Sequence, residues 1–151
     1  MGAGGQAAVH HGGCLCGAVR YRLTGPLRAV INCHCSQCRR FHGHYGAYTT
    51  LAQANFALTR QDGLGWYAAS PTAERGFCTR CGSSLFWRPV GRDNISVAAG
   101  TLDAPTGLET VGDIFVADKG DYYVIDGDRP SRPQGGGDAL ADEIRALKSG
   151  A

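Results

Sequence analysis

From Ala18 to Leu23 the chain reads AVRYRL, with apolar and polar residues in alternation. Successive side chains of an extended backbone point to opposite faces, so a period of two predicts a half-buried strand. Further short candidates follow at Arg28 to Asn32, Gly46 to Leu51, Phe56 to Thr59, Gly65 to Ala69, Glu74 to Phe77, Ser84 to Arg88, Asn94 to Ala98, Ile114 to Ala117 and Tyr122 to Ile125. Gly, Pro, Asp and Asn punctuate them, the residues that permit tight turns. The pattern predicts a mainly β protein.

Helical periodicity is scarce, and 23 glycines spread along the chain weaken most helix interiors. One short turn fits Ser36 through Phe41, with Ser36 placed to cap it. A second candidate follows the linker PSRPQGGG, where Asp138 can cap ALADEIRALK and Leu140, Ile144 and Leu147 share one face. A helix of about ten residues is marginal alone. A frayed tail and a helix docked on the domain or a partner therefore fit this segment equally well.

The 151 residues, 43% hydrophobic and 19% charged, suit one ordinary domain that buries a core without external staples. The first eight residues, MGAGGQAA, offer no side chains to that core and are expected to be a flexible leader. A net charge of only +2, with Lys and Arg scattered, leaves no electrostatic footprint for nucleic acid or an anionic membrane. No apolar run approaches the roughly 20 residues needed to span a bilayer, and the N-terminus has neither a basic region nor a long apolar one. A soluble cytoplasmic protein is the simplest expectation.

Cysteine changes the picture. Seven is an odd number, and the spacings C-x-C, C-x-C-x-x-C and C-x-x-C hold sulfurs too close in sequence to pair comfortably with one another. In a cytosolic chain such clustering points to metal or redox chemistry rather than a disulfide framework. Cys78 and Cys81 in FCTRCGSS form a zinc-knuckle turn, with Gly82 admitting the tight bend and backbone amides free to donate to sulfur. Cys14 and Cys16 in GGCLCGAV would supply two further ligands if they alternate along a strand, so that both sulfurs face one side. Four thiolates close a structural zinc shell and contribute to folding. Cys33, Cys35 and Cys38 remain in NCHCSQCRRFHG, with no eighth cysteine to complete them. Their fourth partner is open at this point: a cysteine borrowed from another cluster, a nitrogen of His34, His42 or His44, or an exchangeable water or substrate.

The segments GGCLCGAVRY, CHCSQCRRFHG and ERGFCTRCGSSLFW, in this order, resemble the glutathione-dependent formaldehyde-activating enzyme family, which includes the centromere protein V type of domain. DIFVADKGDYYVIDGDRP resembles the family's closing strands. The resemblance implies an Mss4-like fold of short antiparallel strands with two zinc ions and little helix, over a domain of residues 9–130. A linker and short helix or tail would occupy 131–151. It also implies that Cys14, Cys16, Cys78 and Cys81 hold the structural zinc, and that Cys33, Cys35 and Cys38 hold the catalytic one. The chain departs from the family pattern at Asp113, where members commonly carry His. It departs again at Asp121 and Tyr122, where a Pro-Trp pair is common, and at Gly127 to Pro130, where a Leu-Pro turn is favoured.

The activity so implied is that of a zinc-dependent carbon-sulfur lyase. Glutathione sulfur takes the exchangeable position, its pKa falls, and it adds to formaldehyde to give S-hydroxymethylglutathione, or the reverse. Three thiolates already overcompensate a dication, which suits such a zinc to sulfur ligands more than to hydrolysis. The alternative is a non-catalytic, zinc-stabilised module that binds a small thiol or a protein partner. Arg39 and Arg40 match the carboxylates of glutathione in geometry, although a solvated basic edge explains them as well. His34, between two ligands, is expected to point away from the metal, in a surface or supporting role. His42 and His44 suit proton transfer by residue type. Trp66, Tyr67, Phe86 and Trp87 fall in strands, where aromatic rings more often fill a core than line a pocket.

Overall fold

A computed structural model describes residues 8–149. The expected leader, Ala8 apart, lies outside the described residues. Ten strands form: β1 (Val9–Gly13), β2 (Val19–Thr24), β3 (Val30–Cys33), β4 (Gly46–Ala52), β5 (Phe56–Gln61), β6 (Leu64–Ser70), β7 (Ala73–Cys78), β8 (Ser84–Pro89), β9 (Asn94–Ala98) and β10 (Thr110–Ile114). Two helices join them, α1 (Ser36–His42) and α2 (Gly137–Lys148). The protein is mainly β, as the alternation predicts.

The chain divides into two compact units. The first runs to Leu27 and resumes over Thr50–Gly107; the second takes Arg28–Thr49 and everything from Leu108 onward.

In the first unit β1, β2 and β5 form an antiparallel sheet in the order β1-β2-β5. The hydrophobic pattern misses β1 because VHHGG carries two glycines, yet both are required. A Cβ on Gly12 would stand 2.3 Å from Tyr21 Oη and 2.4 Å from the Thr101 carbonyl, and one on Gly13 would stand 2.3 Å from the Val19 carbonyl. Strands β6 to β9 pair antiparallel in sequence order. Tyr21, Leu23, Leu85, Phe86, Ile95 and Val97 are buried, with Phe86 edge-on to Tyr21 at 5.4 Å and to Phe56 at 5.0 Å between ring centroids. Phe86 is thus a core residue, whereas Tyr67 is exposed and Trp66 and Trp87 are half-buried.

The second unit departs from the antiparallel expectation. Strand β3 pairs antiparallel with β4 on one side and parallel with β10 on the other, setting Asn32 beside Asp113 and Cys33 beside Ile114. The strand expected at Ile114 to Ala117 ends at Ile114. Phe115 adopts φ +54, a left-handed conformation that costs a non-glycine residue on the order of 1 kcal/mol, and a 3-10 turn follows over Val116–Asp118. Tyr122 to Ile125 forms no strand either. The Lys119 ammonium donates to the carbonyls of Gly120 and Tyr123, at 3.1 and 2.8 Å, so part of this backbone is satisfied by a side chain rather than by a neighbouring strand.

Helix α2 is docked. Leu140, Ala141 and Ile144 pack with Ile31 and Val111 in one buried cluster, while Leu147, expected on the same face, is exposed. Asp138 does not cap it: Gly136 holds that position, and Asp138 pairs with Arg28 Nη1 at 2.7 Å. Ser36 does not cap α1 either, because the cap is the cysteine before it.

Candidate metal centres

The first unit assembles Cys14, Cys16, Cys78 and Cys81, with their four sulfurs all within 4.8 Å of one another. The alternating-strand geometry expected for Cys14 and Cys16 is not what does this. Both lie in the turn joining β1 to β2, whose backbone reverses through Gly17 at φ +81, while Leu15 between them is exposed. A turn brings the two sulfurs to 3.6 Å, closer than a strand would hold alternate side chains. Cys78 ends β7 and Cys81 follows in the knuckle, with Gly82 at φ +79 and its N–H donating to the Cys78 carbonyl at 2.8 Å.

Ser83 ties the two turns together, and the sequence reading passed over it. Its Oγ accepts from the Leu15 N–H at 3.0 Å and lies 3.2 Å from Cys81 Sγ, while its carbonyl accepts from the Cys78 N–H at 3.0 Å. The Val19 N–H donates to Cys14 Sγ at 3.2 Å, the amide-to-sulfur bond expected of such a site. The thiols respond to these contacts. The Ser83 side chain and its amide hold Cys81 down to about 5. Burial raises Cys14, as does Cys81, but the Val19 amide and the sulfurs of Cys16 and Cys78 outweigh them and leave it lowered. At Cys16 the Ala18 amide favours the thiolate, but desolvation and the other three sulfurs push the thiol up to about 11.

A metal test follows from distance. Zinc-sulfur bonds of about 2.3 Å at tetrahedral angles place the sulfurs about 3.8 Å apart. The Cys14 to Cys16 and Cys16 to Cys78 separations are 3.6 and 3.8 Å. These two separations match the edges of such a tetrahedron, and with all four sulfurs within 4.8 Å of one another the set could hold the metal without further donors.

The second unit assembles Cys33, Cys35 and Cys38, again within 4.8 Å of one another. Cys33 ends β3. Cys35 is the N-cap of α1, its Sγ accepting from the Cys38 N–H at 3.3 Å in place of the serine hydroxyl expected one residue later. Cys38 lies buried in the first turn of the helix. The neighbouring sulfurs of Cys33 and Cys38, then the amides of Cys38 and Gln37, hold Cys35 down to about 2, and the same sulfur contacts drive Cys33 up. Among the described residues no histidine or carboxylate joins this set. A metal held here would keep a fourth position that none of the described histidines, cysteines or carboxylates fills.

Each histidine considered as a fourth partner is engaged elsewhere. His34 is 1% exposed, with Nε2 on Asp113 Oδ1 at 2.8 Å and Nδ1 on the Tyr123 hydroxyl at 2.5 Å. It is therefore a buried residue and not a surface one. His42 Nε2 bonds the Tyr48 hydroxyl, and His44 Nδ1 bonds the Tyr122 hydroxyl at 2.6 Å. Asp113, which marked a departure from the family pattern, is the buried partner of His34. Burial would raise its carboxyl, but Arg129 foremost, then His34 and Asn32, hold it below the ordinary range. Of the two arginines, Arg39 donates through Nε to the Asp118 carbonyl at 3.0 Å, while Arg40 is exposed on α1.

Fold and sulfur geometry together define a mainly β protein with two cysteine clusters able to hold metal ions, one of four sulfurs and one of three. The chain belongs to the glutathione-dependent formaldehyde-activating enzyme family, whose sequence model matches residues 9–118. It is 25% identical over 116 residues to a protein of Schizosaccharomyces pombe named an uncharacterized lyase, covering 76% of this chain and 83% of that one. It is 36% identical over 93 residues to a Halomonas elongata protein provisionally named a glutathione-dependent formaldehyde-activating enzyme. That match covers 50% of this chain and 53% of the relative, so the chain spans about half the length of the Halomonas protein. A solved structure of a Rhodobacter sphaeroides protein is similar at 25% identity, with a TM-score of 0.54 over 62% of this chain and 88% of that one. No helix among the described residues is long and apolar enough to cross a membrane.

Proposed function

We propose that this protein is a zinc-dependent carbon-sulfur lyase that makes or breaks the adduct of a small thiol with an aldehyde. Glutathione with formaldehyde is the leading pair. The observation that carries the reading is the unequal division of sulfur. Cys14, Cys16, Cys78 and Cys81 complete a shell, whereas Cys33, Cys35 and Cys38 leave one place for a ligand from outside. Family membership and the names of the two relatives support the same class of reaction.

In the forward direction the thiol sulfur bonds to the aldehyde carbon, the carbonyl π pair moves to oxygen, and the thiol proton ends on that oxygen. A zinc ion in the three-sulfur set supplies acidity to a thiol reaching the open position, so that the nucleophile is available at neutral pH. The chain's own residues do the rest. The Cys38 amide fixes the Cys35 sulfur at the head of α1, and the β3 backbone sets Cys33. Arg40, exposed on the same helix, offers a guanidinium to a substrate carboxylate.

Metal analysis separates this reading from a purely structural one. The freshly purified chain is expected to carry two zinc ions, one of which leaves readily to a chelator along with the activity. A single, tightly held metal contradicts it.

A further inference from the structure

We infer that the chain Tyr123-His34-Asp113-Arg129, buried at His34 and Asp113 and half-buried at its two ends, is a positioning device for the three-sulfur set, holding the residue between Cys33 and Cys35 so that their sulfurs stay at metal-binding distance. The inference rests on the reading that these cysteines hold a metal.

His34 alone separates Cys33 from Cys35, so any rotation of its backbone moves the two together. Its main chain is fixed by the N–H donated to the Ile114 carbonyl at 3.0 Å, across the parallel β3-β10 pair. Its ring is fixed at both nitrogens. An ionised carboxylate only accepts, so the 2.8 Å bond to Asp113 Oδ1 requires the proton on Nε2. In the neutral ring Nδ1 is then the acceptor, and the Tyr123 hydroxyl is its donor. The ring also packs against both Tyr45 and Tyr123, with centroids at 5.0 and 5.6 Å.

Asp113 is fixed in turn. It is fully buried, with Arg129 Nε on Oδ2 at 2.9 Å, and with Arg129 Nη2 at 3.3 Å and Asn32 Nδ2 at 3.4 Å on Oδ1. Its own N–H donates to the Pro130 carbonyl, and its carbonyl accepts from the Arg132 N–H. Two features mark this as more than core filling. An ion pair that buries its carboxylate often stabilises no better than well-packed apolar residues of the same volume, and the best-attested use of such pairs is to fix one arrangement over others. Arg129 also balances the charge of Asp113 while reaching the exposed Asp126 at 3.7 Å, so the carboxylate beside His34 does not stand uncompensated in the unit that carries the three cysteines. Groups outside the ligands that orient a metal site typically alter metal affinity roughly 10- to 100-fold when removed.

The test compares zinc release to a chelator in the full-length wild type and in Asp113→Asn, with Ile144→Ala as the control. Ile144 packs in the same unit in the cluster of Ile31, Val111, Leu140 and Ala141, none of which is a clamp residue, so the control loosens the fold without removing a clamp group. From Asp113→Asn the labile zinc is expected to leave about ten times faster or more than from the control at equal distance below each melting point, while the tight zinc stays. Nitrogen-15 NMR of wild-type imidazoles is expected to show one histidine locked with its proton on Nε2. Tyr123→Phe, which removes a single hydroxyl and preserves the fold if Asp113→Asn does not, is expected to speed release several-fold and broaden that signal. Labile zinc leaving both clamp variants at the control's rate overturns the clamp and leaves the metal reading standing. One zinc only in the wild type overturns the metal reading and the clamp with it.

Discussion

At the scale of single residues, the two sulfur sets make opposite demands. A four-sulfur site that closes on its metal contributes directly to folding, so Cys78→Ser or Cys81→Ser is expected to give an insoluble or molten protein. Cys35→Ser is expected to leave a folded chain that carries one zinc instead of two; metal analysis beside a circular-dichroism melt distinguishes the cases. Global unfolding of Cys35→Ser would show the sites to be assigned the wrong way round. Arg40→Ala is expected to raise KM for glutathione by up to about fivefold with little change in kcat, the size of an exposed charge pair. Steady-state kinetics with glutathione and with a thiol lacking carboxylates checks it. Asp113 gives a pH prediction. Its carboxyl is lowered in the folded chain, so its stabilisation is fully present above the unfolded value of about 3.9 and is lost as pH falls through the folded one. The melting-temperature gap between wild type and Asp113→Asn is therefore expected to hold steady above about pH 5 and to close as pH falls below about 4.

At the scale of elements, close packing explains what the hydrophobic pattern read and what it missed. Strand β9 was legible to the residue, and β2 and β4 to β8 to within two residues at either end, because alternation survives wherever one face meets a core. Strand β3 was legible but displaced toward Cys33, since Arg28 turns to Asp138 and the Tyr48 carbonyl instead of entering the ladder. Strand β1 was not legible, since Gly12 answers to Tyr21 and Thr101 across the packing, and Gly13 to the Val19 carbonyl, and neither to any local preference. Gly12→Ala is therefore expected to destabilise the protein by at least about 1–3 kcal/mol in chemical denaturation. The end of β10 at Phe115 and the lysine-satisfied loop before Ile125 depend on contacts remote in sequence, which no local pattern encodes. Helix α2 was legible as a face, but its docking was not. Ile144→Ala is expected to cost about 2 kcal/mol, the low end for a buried Ile, because a terminal helix can undock rather than keep a cavity.

At the scale of the whole molecule, each compact unit holds one sulfur set. The first unit carries four thiols in two turns bridged by Ser83, and the second carries three at the junction of β3 and α1. Spacing pointed to a division into four and three, though it left open a cysteine shared between the sets, and the sulfurs gather in just those two clusters. What spacing did not reveal was the surroundings of the open set. The burial of His34, and the conversion of Asp113 from a departure into its partner, arise from the parallel pairing of β3 with β10. The central claim is that this open set performs thiol-aldehyde chemistry. Exchange NMR of glutathione with formaldehyde tests it most directly, measured without protein, with the zinc-loaded chain and with Cys35→Ser. Interconversion with S-hydroxymethylglutathione is predicted to be faster with the zinc-loaded chain and to return to the spontaneous rate with Cys35→Ser. A wild-type rate equal to the spontaneous one, with both metals in place, would contradict it.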